Sequence, residues 1–224
     1  MGLTVSKGNM YTWVTHTWNT VKGRCPHGCT YCYMKRWGAQ APVRFDELEL
    51  KTDLGSGNTI FVGSSCDLFA EGIPEQWIRK TLHHCEQFNN KYLFQSKNPW
   101  RILDFIDAAV ISDKSVVCTT METNRFYPEI MRECPPVTDR SFAMHEIAKV
   151  IDTYITIEPI MDFDLDDFVI AIKNCNPSQV NIGADSGNNN LPEPSKEKLI
   201  ALISELKKFT VIDEKRNLSR ILNQ

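Results

Sequence analysis

The sequence predicts an α/β fold, a parallel sheet with helices outside it, and three observations carry that expectation. Six short β-branched runs recur along the chain, amphipathic helical patterns separate them, and the runs are mostly apolar. Six strand–helix units make a partial (β/α)6 TIM-like barrel with parallel strands and outer helices. An open doubly wound sheet is the competing topology, and periodicity alone does not separate the two.

The elements follow in order. The runs read as strands are TWVTHTW (12–18), TIFVG (59–63), KYLFQ (91–95), SVVCT (115–119), TYITI (153–157) and QVNIG (179–183). Pro74 opens a helix at a favourable first-turn position, with Trp77, Ile78, Leu82 and Cys85 on or near one face. Asn98-Pro99 starts a second, carrying Ile102, Leu103 and Ile106, and a third runs near 139–151 with Phe142, Ile147 and Val150. Leu165, Phe168, Val169 and Ile172 repeat at helical spacing. Leu199, Ile200, Leu202, Ile203 and Leu206 do the same after Ser195, a natural N-cap. Residues 183–195 read as one long polar loop, and the tail from Lys215 as a short terminal helix. The His83-His84 pair lies in a helical pattern and reads as surface.

Length and composition set the bounds. A chain of 224 residues, 42% hydrophobic and 24% charged, fits a single soluble domain spanning 1–224. The first ten residues lack the apolar stretch of a signal peptide, and no apolar run approaches the roughly 20 residues that span a bilayer. The expectation is a cytoplasmic protein with no membrane partner. The net charge of −3 argues against a surface that grips nucleic acid throughout, and leaves room for a local basic rim.

The chemistry concentrates in Cys25-Pro-His-Gly-Cys29-Thr-Tyr-Cys32, a C-x3-C-x2-C run. Four cysteines would close a zinc site or fully ligate an iron–sulfur cube. Three leave one iron of a [4Fe-4S] cluster open to a small molecule. Gly28 lets the backbone turn tightly inside the run. Cys66, Cys85, Cys118, Cys134 and Cys175 are scattered singly and read as small hydrophobes in a reducing compartment. Structural zinc with His16, His27, His83 or His84 as fourth ligand is one alternative, and an iron–sulfur electron carrier is another. Both are non-catalytic.

Functional groups in barrel enzymes project from the C-terminal ends of the strands. Five strand runs here end in polar residues: Ser64, Ser65, Cys66 and Asp67; Ser96 and Lys97; Thr119 and Thr120, with Glu122, Asn124 and Arg125; Glu158; and Asp185 with Ser186. The cysteine run follows the first strand and would share their mouth. Bland readings stand beside these. Asp67 caps the following turn, Lys97 is a solvated lysine, Glu158 forms a salt bridge, and Asp185 stabilises its own loop. Tyr11, Trp13 and Trp18 read as packing rather than as a base-stacking platform.

With Tyr31 before Cys32, the cysteine run resembles the cluster motif of the radical S-adenosylmethionine (SAM) superfamily. The segments YTWVTHTWNTVKGRCPHGCTYCY, IFVGSSCDLFAEGIPEQW, YLFQSKNPWRI, VVCTTMETNR, YITIEPIMDFD and VNIGADSG resemble a phage-associated radical-SAM family of unknown function, with spore photoproduct lyase as a distant relative. The resemblance implies a partial barrel with SAM across the strand ends. It implies cluster ligation by Cys25, Cys29 and Cys32, and reductive cleavage of SAM to a radical that abstracts hydrogen from a substrate. It also implies SAM or adenine contacts at Tyr31, Ser64, Ser65, Asp67, Lys97, Thr120, Glu158 and Asp185. Cys66 is a candidate hydrogen-atom donor, shifted by two residues from the lyase's cysteine. The implied partners are an electron donor such as flavodoxin or ferredoxin, and a nucleotide or nucleic-acid substrate.

Overall fold

The computed structural model describes residues 2–7, 11–111 and 114–223. Its strands are β1 (Thr4–Val5), β2 (His16–Trp18), β3 (Val21–Lys22), β4 (Arg44–Phe45), β5 (Thr59–Val62), β6 (Lys91–Gln95), β7 (Ser115–Thr120), β8 (Thr153–Ile157), β9 (Gln179–Ile182) and β10 (Val211–Glu214). Its helices are α1 (Glu75–Glu86), α2 (Trp100–Leu103), α3 (Pro128–Met131), α4 (Val137–Ile147), α5 (Leu165–Asn174), α6 (Lys196–Leu206) and α7 (Ser219–Leu222). No helix among the described residues is long and apolar enough to cross a membrane.

β3 and β4 form a small antiparallel ribbon, and the other strands form one sheet in the order β1-β2-β5-β6-β7-β8-β9-β10. From β2 onward every neighbouring pair is parallel. The order never doubles back, so the sheet lacks the switch point of a doubly wound fold. The barrel reading holds, with one parallel strand more than the six expected. That extra strand, β10, is a sheet edge whose side chains are half-buried or exposed. It therefore lacks the continuous apolar run that marks the inner strands.

Tyr11 reveals how strongly the sheet curves. Its hydroxyl lies 2.7 Å from Gln95 Oε1 on β6 and 2.6 Å from Thr156 Oγ1 on β8. Its ring lies 6.3 Å from that of Phe61 on β5 and 4.2 Å from the ammonium of Lys215, just past β10. On a flat sheet β5 and β10 would stand about 24 Å apart, five spacings of about 4.8 Å. One ring reaches both only because the sheet wraps around it. Tyr11 and Val14 fill the concave side with Phe61, Leu93 and Cys118. The convex side carries Ile60, Val62, Phe94, Val117, Ile155 and Val180 in the larger core beneath the helices.

Ser195 caps α6 as expected, its hydroxyl accepting from Lys198 N at 3.3 Å. Several expectations need correction. The strand expected over 12–18 is β2 and begins only at His16, because the residues from Tyr11 turn over the concave face instead of extending. On α4 the buried residues include Ala143, Met144 and Ile147, whereas Phe142 and, beyond the helix, Val150 are exposed. Ile200 on α6 is exposed as well. α2 stops after one turn at Leu103. His84 is buried, its Nε2 2.9 Å from Thr52 O and its ring 5.0 Å from Trp18.

Phe94 is fully buried on the convex face, and Phe94→Ala is expected to cost about 3–5 kcal/mol in urea unfolding. An acid limb is also expected. Burial raises the Glu49 carboxyl, and Lys22 and Gly2 N outweigh it, bringing it down to about 2. An unfolded glutamate titrates near about 4.3, so this stabilisation is complete above that value and is lost as pH falls toward the folded one. Stability should drop across that window, and Glu49→Gln should flatten the drop in pH-dependent urea midpoints.

Candidate active site

The cysteine run sits on an excursion between β3 and β4. Its base is clamped by Lys22, whose ammonium reaches Asp46 at 2.7 Å and Glu49 at 2.5 Å. Gly23 closes the neck with φ +101°, and a Cβ there would lie 2.4 Å from Pro42 O. Arg24 N bonds Ala41 O across the neck at 2.8 Å. Within the run, Gly28 N donates to Cys25 O at 3.2 Å and Cys32 N to Cys29 O at 3.3 Å. The segment around α3 braces it from outside, through Thr30 N to Ile130 O at 3.0 Å and Glu133 N to His27 O at 3.1 Å.

Two buried ties then fix this run to the strand ends. In the first, His27 Nε2 lies 2.8 Å from Asp67 Oδ2. The same oxygen accepts from Ser96 Oγ at 3.0 Å and Lys97 N at 2.8 Å, while Asp67 Oδ1 accepts from Phe69 N at 2.9 Å. Burial works against the charged His27 ring, and Asp67 outweighs it, pushing the pKa up to about 9. Burial likewise raises the Asp67 carboxyl, and His27 outweighs it, so Asp67 is held below its ordinary value.

The second tie centres on Glu122, just past β7. Its Oε1 accepts from Lys97 Nζ and from the Tyr31 hydroxyl, and its Oε2 accepts from Arg140 Nη1 at 2.9 Å. Lys97 Nζ also reaches the Tyr31 oxygen at 2.8 Å, and Arg140 Nη1 donates to Thr120 O at 2.7 Å. Glu122 and Arg140 are fully buried. Burial raises the Glu122 carboxyl, and Arg140 and Lys97 outweigh it, bringing it down to about 2. One carboxylate thus balances two cations, and the remaining positive charge faces the thiols. Cys29 is lowered to about 6, first by its hydrogen bond with Cys134 and, against burial, by Lys97.

The donor set fits a thiolate-bound metal group in its chemistry. Three soft sulfurs stand on one eight-residue run, and Cys32 lies within the electrostatic reach of both Cys25 and Cys29. Two of the three thiols are turned toward thiols outside the run. Cys29 Sγ lies 3.3 Å from Cys134 Sγ, and Cys25 is hydrogen-bonded to Cys66, which pushes its pKa up. Among the described residues, no group of three His, Cys, Asp or Glu side chains converges at metal-binding distance.

The other candidate residues divide by what holds them. Ser64 Oγ and Ser65 N both meet the Asn19 side chain, at 3.3 Å and 2.8 Å, and Ser64 O accepts from the Tyr33 hydroxyl. Thr120 Oγ1 accepts from Gln95 at 3.1 Å on the concave face. Glu158 faces the same interior beside Lys215, with Ser186 Oγ at 3.2 Å and Asn217 Nδ2 at 3.1 Å. Asp185 turns back onto its own loop, accepting from Gly187 N at 3.0 Å and Asn189 Nδ2 at 2.6 Å. Cys66 is buried beneath the run in the convex-side core. Cys25, Cys29, Cys32, Tyr31, Asp67, Lys97 and Cys66 therefore meet in one neighbourhood, whereas Glu158 and Asp185 belong to the β8–β10 side. Sequence reasoning left Arg140 and Asn19 unassigned and read Cys134 as packing. An arginine on the face of α4 shared by Val137 and Met144 is the one signal that points to a buried partner.

No protein-family model matches the chain, and no curated protein matches it. Solved structures do. Spore photoproduct lyase complexed with dinucleoside spore photoproduct superposes with a TM-score of 0.65 at 10% identity, covering 93% of this chain and 79% of that one. The chain shares the fold of spore photoproduct lyase. A double mutant of that lyase with bound AdoMet and dinucleoside spore photoproduct gives a TM-score of 0.65 at 9% identity, over 92% of this chain and 78% of that one. The barrel expected from the sequence is thus matched over nearly the whole chain.

Glu122→Gln leaves Lys97 and Arg140 buried without their counter-charge, and should destabilise the fold by about 3–5 kcal/mol in urea unfolding. Pairing it with Lys97→Met removes one stranded cation and should recover part of that loss. A double mutant no more stable than the single would contradict this account of the network.

Proposed function

We propose that the protein is a radical SAM enzyme acting on a nucleotide or nucleic acid. The observation that carries the reading is a three-thiol run fastened to the C-terminal ends of β5, β6 and β7 by the His27–Asp67 ion pair and by the Tyr31 hydroxyl on Glu122 and Lys97, in a fold shared with spore photoproduct lyase. Cys25, Cys29 and Cys32 would hold a [4Fe-4S] cluster. When bound, that cluster supplies the electron that cleaves S-adenosylmethionine reductively.

The chain's own groups set the conditions. The hydrogen bond with Cys134 and then the Lys97 ammonium lower the Cys29 thiol and favour a thiolate there, whereas Cys66 and burial hold the Cys25 thiol up and burial holds up Cys32. Tyr31 packs against Lys97, whose ammonium lies 4.9 Å from the ring centre, which helps hold the run to the strand ends. Asp67 anchors His27 and Lys97 N, and it stays a candidate SAM contact through that position at the end of β5. Ser64, Ser65 and Thr120 remain candidate SAM contacts too, with Glu158 on the substrate side. The lyase structures bind AdoMet and dinucleoside spore photoproduct, which supports a nucleotide-derived substrate here. An electron donor such as flavodoxin or ferredoxin completes the scheme.

Anaerobic reconstitution with iron and sulfide should give brown protein that forms 5′-deoxyadenosine from SAM under dithionite, detected by mass spectrometry. Replacing Cys25, Cys29 and Cys32 with alanine should abolish both colour and product. Colourless protein that takes up zinc and leaves SAM intact would overturn the proposal.

A further inference from the structure

We propose that the surface formed by Tyr33, Arg36 and Trp37, beside the cysteine run, is a docking site for single-stranded nucleic acid. It rests on the nucleic-acid reading above and names the surface and strand state that reading leaves open. The one-turn helix Tyr33–Trp37 begins directly after Cys32, so it rides on the same rim. Tyr33 fastens it there through its hydroxyl to Ser64 O, past β5.

Two features of this turn are unusual. Trp37 is 59% exposed and Tyr33 44% exposed, yet both are large aromatics. They stand edge to face with centroids 5.9 Å apart, and the Arg36 guanidinium lies 4.1 Å from the Trp37 ring and 5.6 Å from the Tyr33 ring. An aromatic face already paired with a guanidinium is a ready platform for an unpaired base, and the cation stands where a phosphate would follow.

Charge reinforces this geometry. No Asp or Glu precedes Asp46, whereas Lys22, Arg24, Lys35, Arg36 and Arg44 all fall between residues 19 and 45, in a chain of net charge −3. Only Lys22 among these five makes a salt bridge in the described structure. Arg24, Lys35, Arg36 and Arg44 are exposed. A basic rim of this kind also suits an acidic electron-transfer protein. Such a partner needs no exposed tryptophan under a guanidinium, so the aromatic pair favours the nucleic acid. Stacking requires unpaired bases, which selects single strands over duplex.

Fluorescence anisotropy with a labelled oligothymidylate of about ten nucleotides, a length within the usual span of such grooves, tests the assignment. The full chain should bind it saturably at low salt and more tightly than a duplex of equal length. Trp37→Ala should weaken binding about tenfold or more, and Arg36→Gln should reduce the salt slope by about 0.7. Leu48→Ala, at an exposed leucine away from the turn, should change neither, and circular dichroism should confirm that all variants fold. Absent oligonucleotide binding, duplex bound as well as single strand, Trp37→Ala binding like the parent, or flavodoxin captured in place of the oligonucleotide would each overturn the proposal. SAM cleavage in the same preparations keeps the two readings apart. Cleavage without oligonucleotide binding sinks the docking surface alone, and binding without cleavage sinks the radical chemistry alone.

Discussion

The arrangement depends on one buried carboxylate. Glu122 lies at the end of β7 with no solvent exposure, between an ammonium from the end of β6 and a guanidinium from α4. Stripping water from three charges costs several kcal/mol for each before any attraction is counted. A protein tolerates that where the groups satisfy most of one another's needs, and here Tyr31 and Thr120 O supply further partners while Arg140 Nη2 goes without one. Because Tyr31 stands between two of the three cysteines, the same network that neutralises the interior also sets where the thiol run sits. Position and electrostatics are therefore one property of this site.

Much of this was legible in the residues. The inner strands announced themselves because a strand covered on both faces has to be apolar, and β5 to β9 fall on the runs read for them. The polar groups after each run were legible for the complementary reason, that strand ends leave the core. β10 was invisible because an edge strand need bury little. His84 and Phe142 were misjudged because helical spacing gives a face only when the helix's rotation against its neighbours is known. Tertiary packing alone supplies that rotation. Arg140 and the His27–Asp67 pair lay beyond reach because partners 18 and 40 residues apart meet only after the chain folds.

The strand-end residues looked alike as letters and differ in the folded chain. Asp67 and Asp185 are spent on backbone and side-chain donors of the protein itself, one shaping the thiol run and the other its own loop. Lys97 and Glu122 satisfy each other. Ser64, Ser65 and Thr120 keep the milder hydrogen-bonding groups, held by Asn19 and Gln95. Polarity at a strand end thus marks the working side of such a sheet without telling which residues work.

Tyr11 has a wider effect than its packing. By filling the hollow between β5, β6, β8 and the residue after β10, it gives the curved sheet a floor. With that hollow taken up by the protein's own side chains, a molecule at the strand ends rests on top of Tyr11 instead of sinking into the curve of the sheet.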